Sequence, residues 1–176
     1  MRTGKFSSIL LSILFFVFAT CALCAQQGTA PASSKDTLTL LNDSDHKSLV
    51  LSAADLKALS HISLTTHNSH TNADETYSGV RLSDLLAKIG APTGNDLRGK
   101  ALANYVVVTG SDGYKAVLAL GEVDSSFHPG EVLVADTMDG KPLDAHSGPF
   151  KLVVSEDKRP ARSVRNLVSI ELKEAQ

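Results

Sequence analysis

The sequence predicts an α+β domain: a mixed, mostly antiparallel sheet with a few short helices, running from Thr37 to the end of the chain. Three observations predict it. Short runs rich in Val, Ile, Leu and Thr alternate apolar and polar residues, the period of a half-buried strand. Polar turns and two Asp-Gly pairs, Asp112-Gly113 and Asp139-Gly140, stand between those runs where hairpins would reverse. Only a few stretches carry apolar residues at helical spacing, and all are short.

The elements follow in order. "TLTLLN" (37–42) alternates, "NDSDHK" turns, and "SLVL" (48–51) returns, a hairpin. Ser52 is placed to cap a short helix over 53–59, with Asp55 in its first turn. "HISLTTH" (61–67) is a strand, with Ile62 and Leu64 on one face and His61, Ser63, Thr65 and His67 on the other. "ETYSGV" (75–80) leads into "RLSDLLAKIG", where Leu82, Leu85, Leu86 and Ile89 form a helical stripe closed by Gly90 and Pro92. Gly79, at the end of that strand, is expected to permit close backbone packing or an unusual backbone angle. "NYVVVTG" and "YKAVLAL" flank the first Asp-Gly turn; "EVLVADTM" and "KPLDA" flank the second. "PFKLVV" (149–154) and "LVSIEL" (167–172) finish the chain around the basic loop "SEDKRPARSVRN". This amounts to about seven or eight short strands with two or three short helices.

The N-terminal stretch reads as an export signal. Arg2 and Lys5 form a basic start, and residues 8–25 are apolar and end in small residues, so cleavage is expected after Ala25. The run also approaches the length needed to span a bilayer, so retention as an anchor is the alternative. Residues 26–36 are small and polar, as in a linker, leaving 37–176 as a single domain in the periplasm or secreted. Both cysteines, Cys21 and Cys24, fall in the signal, so a processed chain has no disulfide and no thiolate ligand or nucleophile. Removing Arg2 and Lys5 takes the formal net charge from −2 to −4, which gives no electrostatic case for nucleic acid. The absence of tryptophan argues against a carbohydrate-stacking surface. No membrane contact is expected beyond the signal segment.

Two clusters are candidates for chemistry. Lys151, Lys158, Arg159, Arg162 and Arg165 face only Glu156 and Asp157 across 151–165. Guanidinium groups bind oxyanions through paired, charge-assisted hydrogen bonds; a solvated basic loop with weak surface ion pairs is the competing reading. In "THNSHTNADE" (66–75), His67 and His70 could meet across a turn with Asp74 or Glu75 to hold zinc or copper, against the reading of solvated loop histidines. His61 and His67 are about 20 Å apart along a straight strand and cannot share one ion.

Four segments, "YSGVRLSDLL" (77–86), "SDGYKAVLAL" (111–120), "VLVADTMDGKPLDAHSGPFKLVV" (132–154) and "ARSVRNLVSIEL" (161–172), occur in register with the molybdopterin-binding domain of the sulfite oxidase family, which the chain resembles over 77–172. The resemblance implies that fold, in a reduced form, because the family's enzymes are considerably longer. It implies that Lys151, following the Gly-Pro turn, contacts a pterin or its phosphate. It also implies that "RSVR", Arg162, Ser163, Val164 and Arg165, surrounds an anion, with His146 or Ser147 as a further polar contact. Molybdopterin is the cofactor so implied. Catalytic members hold molybdenum through a cysteine before the Gly-Val-x-Leu helix entry, and counting back from Gly79 lands near His67 instead. Neutral imidazole does not replace thiolate electronically. The expectation is therefore not a conventional molybdoenzyme but a non-catalytic module with an anion- or pterin-binding corner. Its partner would be a small anionic ligand or a periplasmic protein. The alternatives are a molybdopterin-binding oxidoreductase or subunit with atypical metal ligation, and a purely structural interaction domain.

Overall fold

A computed structural model describes residues 36–68 and 71–175. The stretch read as an export signal, the expected linker up to residue 35 and His70 lie outside the described residues. Among those described, no helix is long and apolar enough to cross a membrane.

The first hairpin pairs β1 (Thr37–Asn42) with β2 (Lys47–Ser52). Ser52 then caps α1 (Ala53–Lys57): its Oγ accepts from the Asp55 amide at 3.2 Å, and Asp55 Oδ2 accepts from the Ser52 amide at 2.9 Å. This reciprocal pair satisfies two donors that a helix start otherwise leaves open. β3 (Ile62–Asn68) and β4 (Ala73–Arg81) form the next hairpin, and α2 (Leu82–Lys88) follows. Gly90 ends α2 with φ of +86°, the left-handed conformation that releases the chain from the helix.

β5 (Tyr105–Gly110) and β6 (Lys115–Ala119) flank the first Asp-Gly turn. It is wider than a two-residue turn: Gly113 alone takes positive φ, +84°, and the Gly110 amide donates to the Tyr114 carbonyl at 2.9 Å. After the one-turn helix α3 (Leu120–Val123) come β7 (Val132–Met138) and the stub β8 (Lys141–Pro142). Between them Asp139 and Gly140 both have positive φ, 49° and 73°, the two-residue turn that matches strand twist. β9 (Lys151–Val154) and β10 (Leu167–Lys173) complete the chain.

These strands form two sheets rather than one. The first runs β2-β1-β10-β5-β6, with β10 parallel to β1 and every other neighbour antiparallel. The second runs β3-β4-β7, and the far edge of β7 pairs with β9 over its first half and β8 over its last two residues. Ten strands are present among the described residues, against the seven or eight expected. The main core lies between the sheets: Leu38, Leu40, Val106, Val108 and Ile170 of the first meet Val80, Val134 and Leu152 of the second, with the α2 stripe of Leu82, Leu85, Leu86 and Ile89 filling in. The second sheet buries a smaller cluster on its other face: Tyr77, Leu133, Ala135 and Val153. That face carries the candidate site.

Candidate functional site

The site begins with a backbone irregularity. β4 and β7 pair Ser78 with Thr137 and then Gly79 with Ala135, so Asp136 is an extra residue bulging from β7. Gly79 is required there. A Cβ on it would lie 2.1 Å from the Val134 carbonyl oxygen and 2.5 Å from Ala135 Cα. The expectation of close backbone packing holds, and it is contact rather than an unusual angle that demands glycine. Upstream of Gly79, the two-residue period puts Tyr77 and Glu75 on the side of the smaller cluster. On β9 the same period puts Lys151 with Val153 on that side, while Leu152 and Val154 point into the main core.

Lys151 and Tyr77 therefore meet. Lys151 Nζ donates to Tyr77 Oη at 2.5 Å and stands 4.3 Å from the ring centroid, a cation–π contact as well as a hydrogen bond. Tyr77 Oη donates in turn to Glu75 Oε2 at 2.6 Å, and Glu75 Oε1 accepts from Asn68 Nδ2 at 2.6 Å. Burial, helped by the Glu75 hydrogen bond and the charges of Glu75, Asp139 and Asp144, raises Tyr77 well above the ordinary phenol value, so the hydroxyl stays protonated. Burial also pushes the Lys151 ammonium below the ordinary lysine value. Glu75 and Asp144 oppose that shift, and the Arg165 guanidinium adds to it.

Arg165 reaches this corner from the loop before β10. It is exposed and in contact with the His146 ring through Nη1 and Nε2. The turn carrying His146 is held by Asp144 Oδ1, which accepts from the amides of His146 at 3.1 Å and Ser147 at 2.9 Å, and by Asn166 Nδ2, which donates to the His146 carbonyl at 2.7 Å. The chain's described ion pairs use Lys47, Arg81, Arg162, Lys173 and two histidines; neither Lys151 nor Arg165 is among them.

The other residues of "RSVR" serve elsewhere. Arg162 is engaged by two carboxylates, Asp157 at 2.7 Å and Glu122 at 3.0 Å, which raise its pKa further. It lines a cavity of about 150 Å³ with Glu122, Glu131, Glu156 and Asp157, an acidic setting rather than a basic one. Ser163 Oγ accepts from the Val154 amide at 3.3 Å, and Val164 is in the core, its carbonyl accepting from the Leu152 amide at 2.8 Å. These two staple the loop to β9 and so position Arg165.

The histidines separate as well. His67 Nδ1 is 2.9 Å from Asp74 Oδ1, its partner across the β3–β4 hairpin, on an exposed face. His61 joins the bulge: its Nδ1 is 2.8 Å from the Leu59 carbonyl and its Nε2 is 3.1 Å from Asp136 Oδ2, while Asp136 Oδ1 is buried without a partner. Among the described residues no cluster of three His, Cys, Asp or Glu side chains is arranged to hold a metal. Tyr77 is the residue of this corner least visible in the sequence; its signal is the alternation Glu75, Tyr77, Gly79, and only the fold supplies the lysine it meets.

Comparison with known proteins bears on this geometry. Residues 30–176 match the family model described as the oxidoreductase molybdopterin binding domain. The structure of the sulfane dehydrogenase SoxCD from Paracoccus pantotrophus is similar at a TM-score of 0.61 and 19% identity, over 84% of this chain and 41% of that one. At that identity the likeness is one of fold, and this chain spans about two fifths of its neighbour's length. A search of curated proteins gives no match.

Proposed function

Because the chain belongs to the oxidoreductase molybdopterin binding domain family, we propose that it is an exported, non-catalytic binding module whose Lys151–Arg165 corner holds an anionic ligand. The observation that carries this reading is electrostatic. Lys151 and Arg165 come from segments tied side by side, the Leu152 amide donating to the Val164 carbonyl at 2.8 Å, and neither cation is in an ion pair among the described residues, although Glu75 and Asp144 also act on Lys151. Such a pair is a ready donor to phosphate or carboxylate oxygens.

The family's cofactor fits this corner at one end only. Lys151 and Arg165 supply the donors that a pterin phosphate would need, and His146 Nε2 accepts from Arg165 and so holds the guanidinium. The metal end does not fit: residues 36–175 contain no cysteine, and His67, near the place the family gives its thiolate, is already paired with Asp74. No oxo-transfer step is assigned to this chain for that reason. The alternative is a molybdopterin-binding oxidoreductase or oxidoreductase subunit with atypical metal ligation, and it is compatible with the family match over residues 30–176. Export rests on Arg2, Lys5 and the apolar run of residues 8–25.

Isothermal titration with inorganic pyrophosphate tests the reading. The wild type is expected to bind, and Arg165→Ala to weaken binding by about tenfold or more, the value of one charge-assisted contact. Arg162→Ala is expected to leave the affinity unchanged. No binding by the wild type, or equal binding by Arg165→Ala, refutes it. Molybdenum at one per chain in protein purified from its native host would favour the subunit reading.

A further inference from the structure

We infer that Lys151 is a nucleophilic amine that condenses with an aldehyde carrying a phosphate group, the phosphate being held by Arg165. This rests on reading the corner as an anion site and adds the chemistry of the ligand it takes. Lysine amines react when burial or a neighbouring cation favours the neutral form and when a proton acceptor is at hand. Lys151 has both. It is half-buried against the Tyr77 ring, and Arg165, on the segment tied to its strand by the Leu152–Val164 hydrogen bond of 2.8 Å, acts with that burial against the Glu75 and Asp144 carboxylates. The described lysines 57, 88, 100, 115, 141 and 158 are exposed, and Lys47 and Lys173 have carboxylate partners.

The proton has a path. Lys151 Nζ, Tyr77 Oη and Glu75 Oε2 form a continuous chain with links of 2.5 and 2.6 Å. The ammonium gives a proton to the phenol oxygen as the phenol gives its own to Glu75, and the phenol ends neutral, as its raised pKa requires. Asn68 Nδ2 on the other Glu75 oxygen fixes that carboxylate in place. The freed lone pair forms a bond to the aldehyde carbon, and the carbonyl electron pair moves to oxygen, which takes up one proton from the newly bonded nitrogen. That hydroxyl takes the proton held on Glu75 and leaves as water, while the nitrogen lone pair closes a protonated C=N bond and Glu75 returns to its carboxylate. One aldehyde and one amine give one imine and one water, with no oxidant or reductant. The hydroxyl must be Tyr77's for the relay to work, whereas the surrounding apolar packing needs only its ring.

The test uses the full chain with pyridoxal 5′-phosphate and, separately, pyridoxal, which lacks the phosphate. Imines are trapped with borohydride and mapped by peptide mass spectrometry. Lys151 is expected to be labelled by the phosphate at least about tenfold faster than by pyridoxal, as one charge-assisted contact allows, and ahead of Lys57, Lys88 and Lys100. The rate should rise with pH through a midpoint below that of the exposed lysines. Arg165→Ala should equalise the two reagents at Lys151, and Tyr77→Phe, with an unchanged far-UV spectrum, should slow labelling by both. Uniform labelling of all lysines, equal wild-type rates with the two reagents, or an unmodified Lys151 overturns the inference. If pyrophosphate binds and competes with pyridoxal 5′-phosphate yet Lys151 stays unmodified, the imine chemistry fails and the anion site stands. If pyrophosphate does not bind at all, the anion site itself has failed.

Discussion

Gly79→Ala is predicted to break the β4–β7 interface. An added Cβ would sit 2.1 Å from the Val134 carbonyl oxygen, 2.7 Å from its carbonyl carbon and 2.5 Å from Ala135 Cα, whereas ordinary contact begins at 3.4 Å. Every one of those atoms is backbone, so no side chain can turn aside, and β7 would have to retreat by about 1 Å. That retreat opens the ladder at Gly79–Ala135 and Val80–Val134 and lifts Val134 from the main core. Overpacking costs about 1–3 kcal/mol and each weakened ladder bond about 1 kcal/mol, so a loss of about 3–5 kcal/mol is expected. For a chain of this size that lowers the melting temperature by roughly 10 °C. Thermal unfolding followed by far-UV circular dichroism measures it. A loss below about 1 kcal/mol would refute the argument, because it would mean the two strands can separate there at little cost.

Other outcomes follow from particular contacts. His61→Ala leaves both oxygens of Asp136 without a partner, since Oδ1 has none already, and should cost about 1–3 kcal/mol in urea unfolding; the His61→Ala, Asp136→Ala pair should be less than additive. Arg162→Ala should cost about 1 kcal/mol, a value discounted for the partial exposure of Arg162, and should leave pyrophosphate binding intact. Asp124 is buried and accepts from the amides of Gly94 at 2.7 Å and Ser126 at 2.8 Å; the Gly94 contact chiefly, then the Ser126 contacts, lower its pKa against the opposing effect of burial. A depressed carboxylate pKa contributes stability that is complete above the unfolded value, 3.8, and lost as pH falls through the lower folded value. Asp124→Asn should therefore destabilise the protein at neutral pH and flatten the acid side of its stability profile in a pH series of urea melts.

Local chemistry was legible in the sequence because each signal is carried by neighbouring residues. Ser52 and Asp55 cap α1 from three positions apart, the α2 stripe repeats within seven residues, and Asp139-Gly140 turns with both residues at positive φ. The same period that marks a strand also says which residues share a face, and so put Lys151 and Val153 together. Pairing across the chain carries no such signal. Nothing near residue 40 announces that β1 runs beside and parallel to β10, with Leu40 opposite Ile170. Nothing near residue 151 announces a phenol from β4.

The basic cluster shows the division most clearly. The sequence alone determined that cations crowd 151–165, that a chain processed after Ala25 has no thiolate, and that the fold is α+β. Only the tertiary structure decided which cation does what. Arg162 meets Glu122 and Asp157 because α3 and its own loop converge there; Val164 is drawn into the core; Lys151 meets Tyr77 because the bulge at Asp136 sets the register between β4 and β7. Charge in a sequence is a property of composition, but neutralisation is a matter of a few ångströms, and those distances are set by strand partners that lie far apart along the chain.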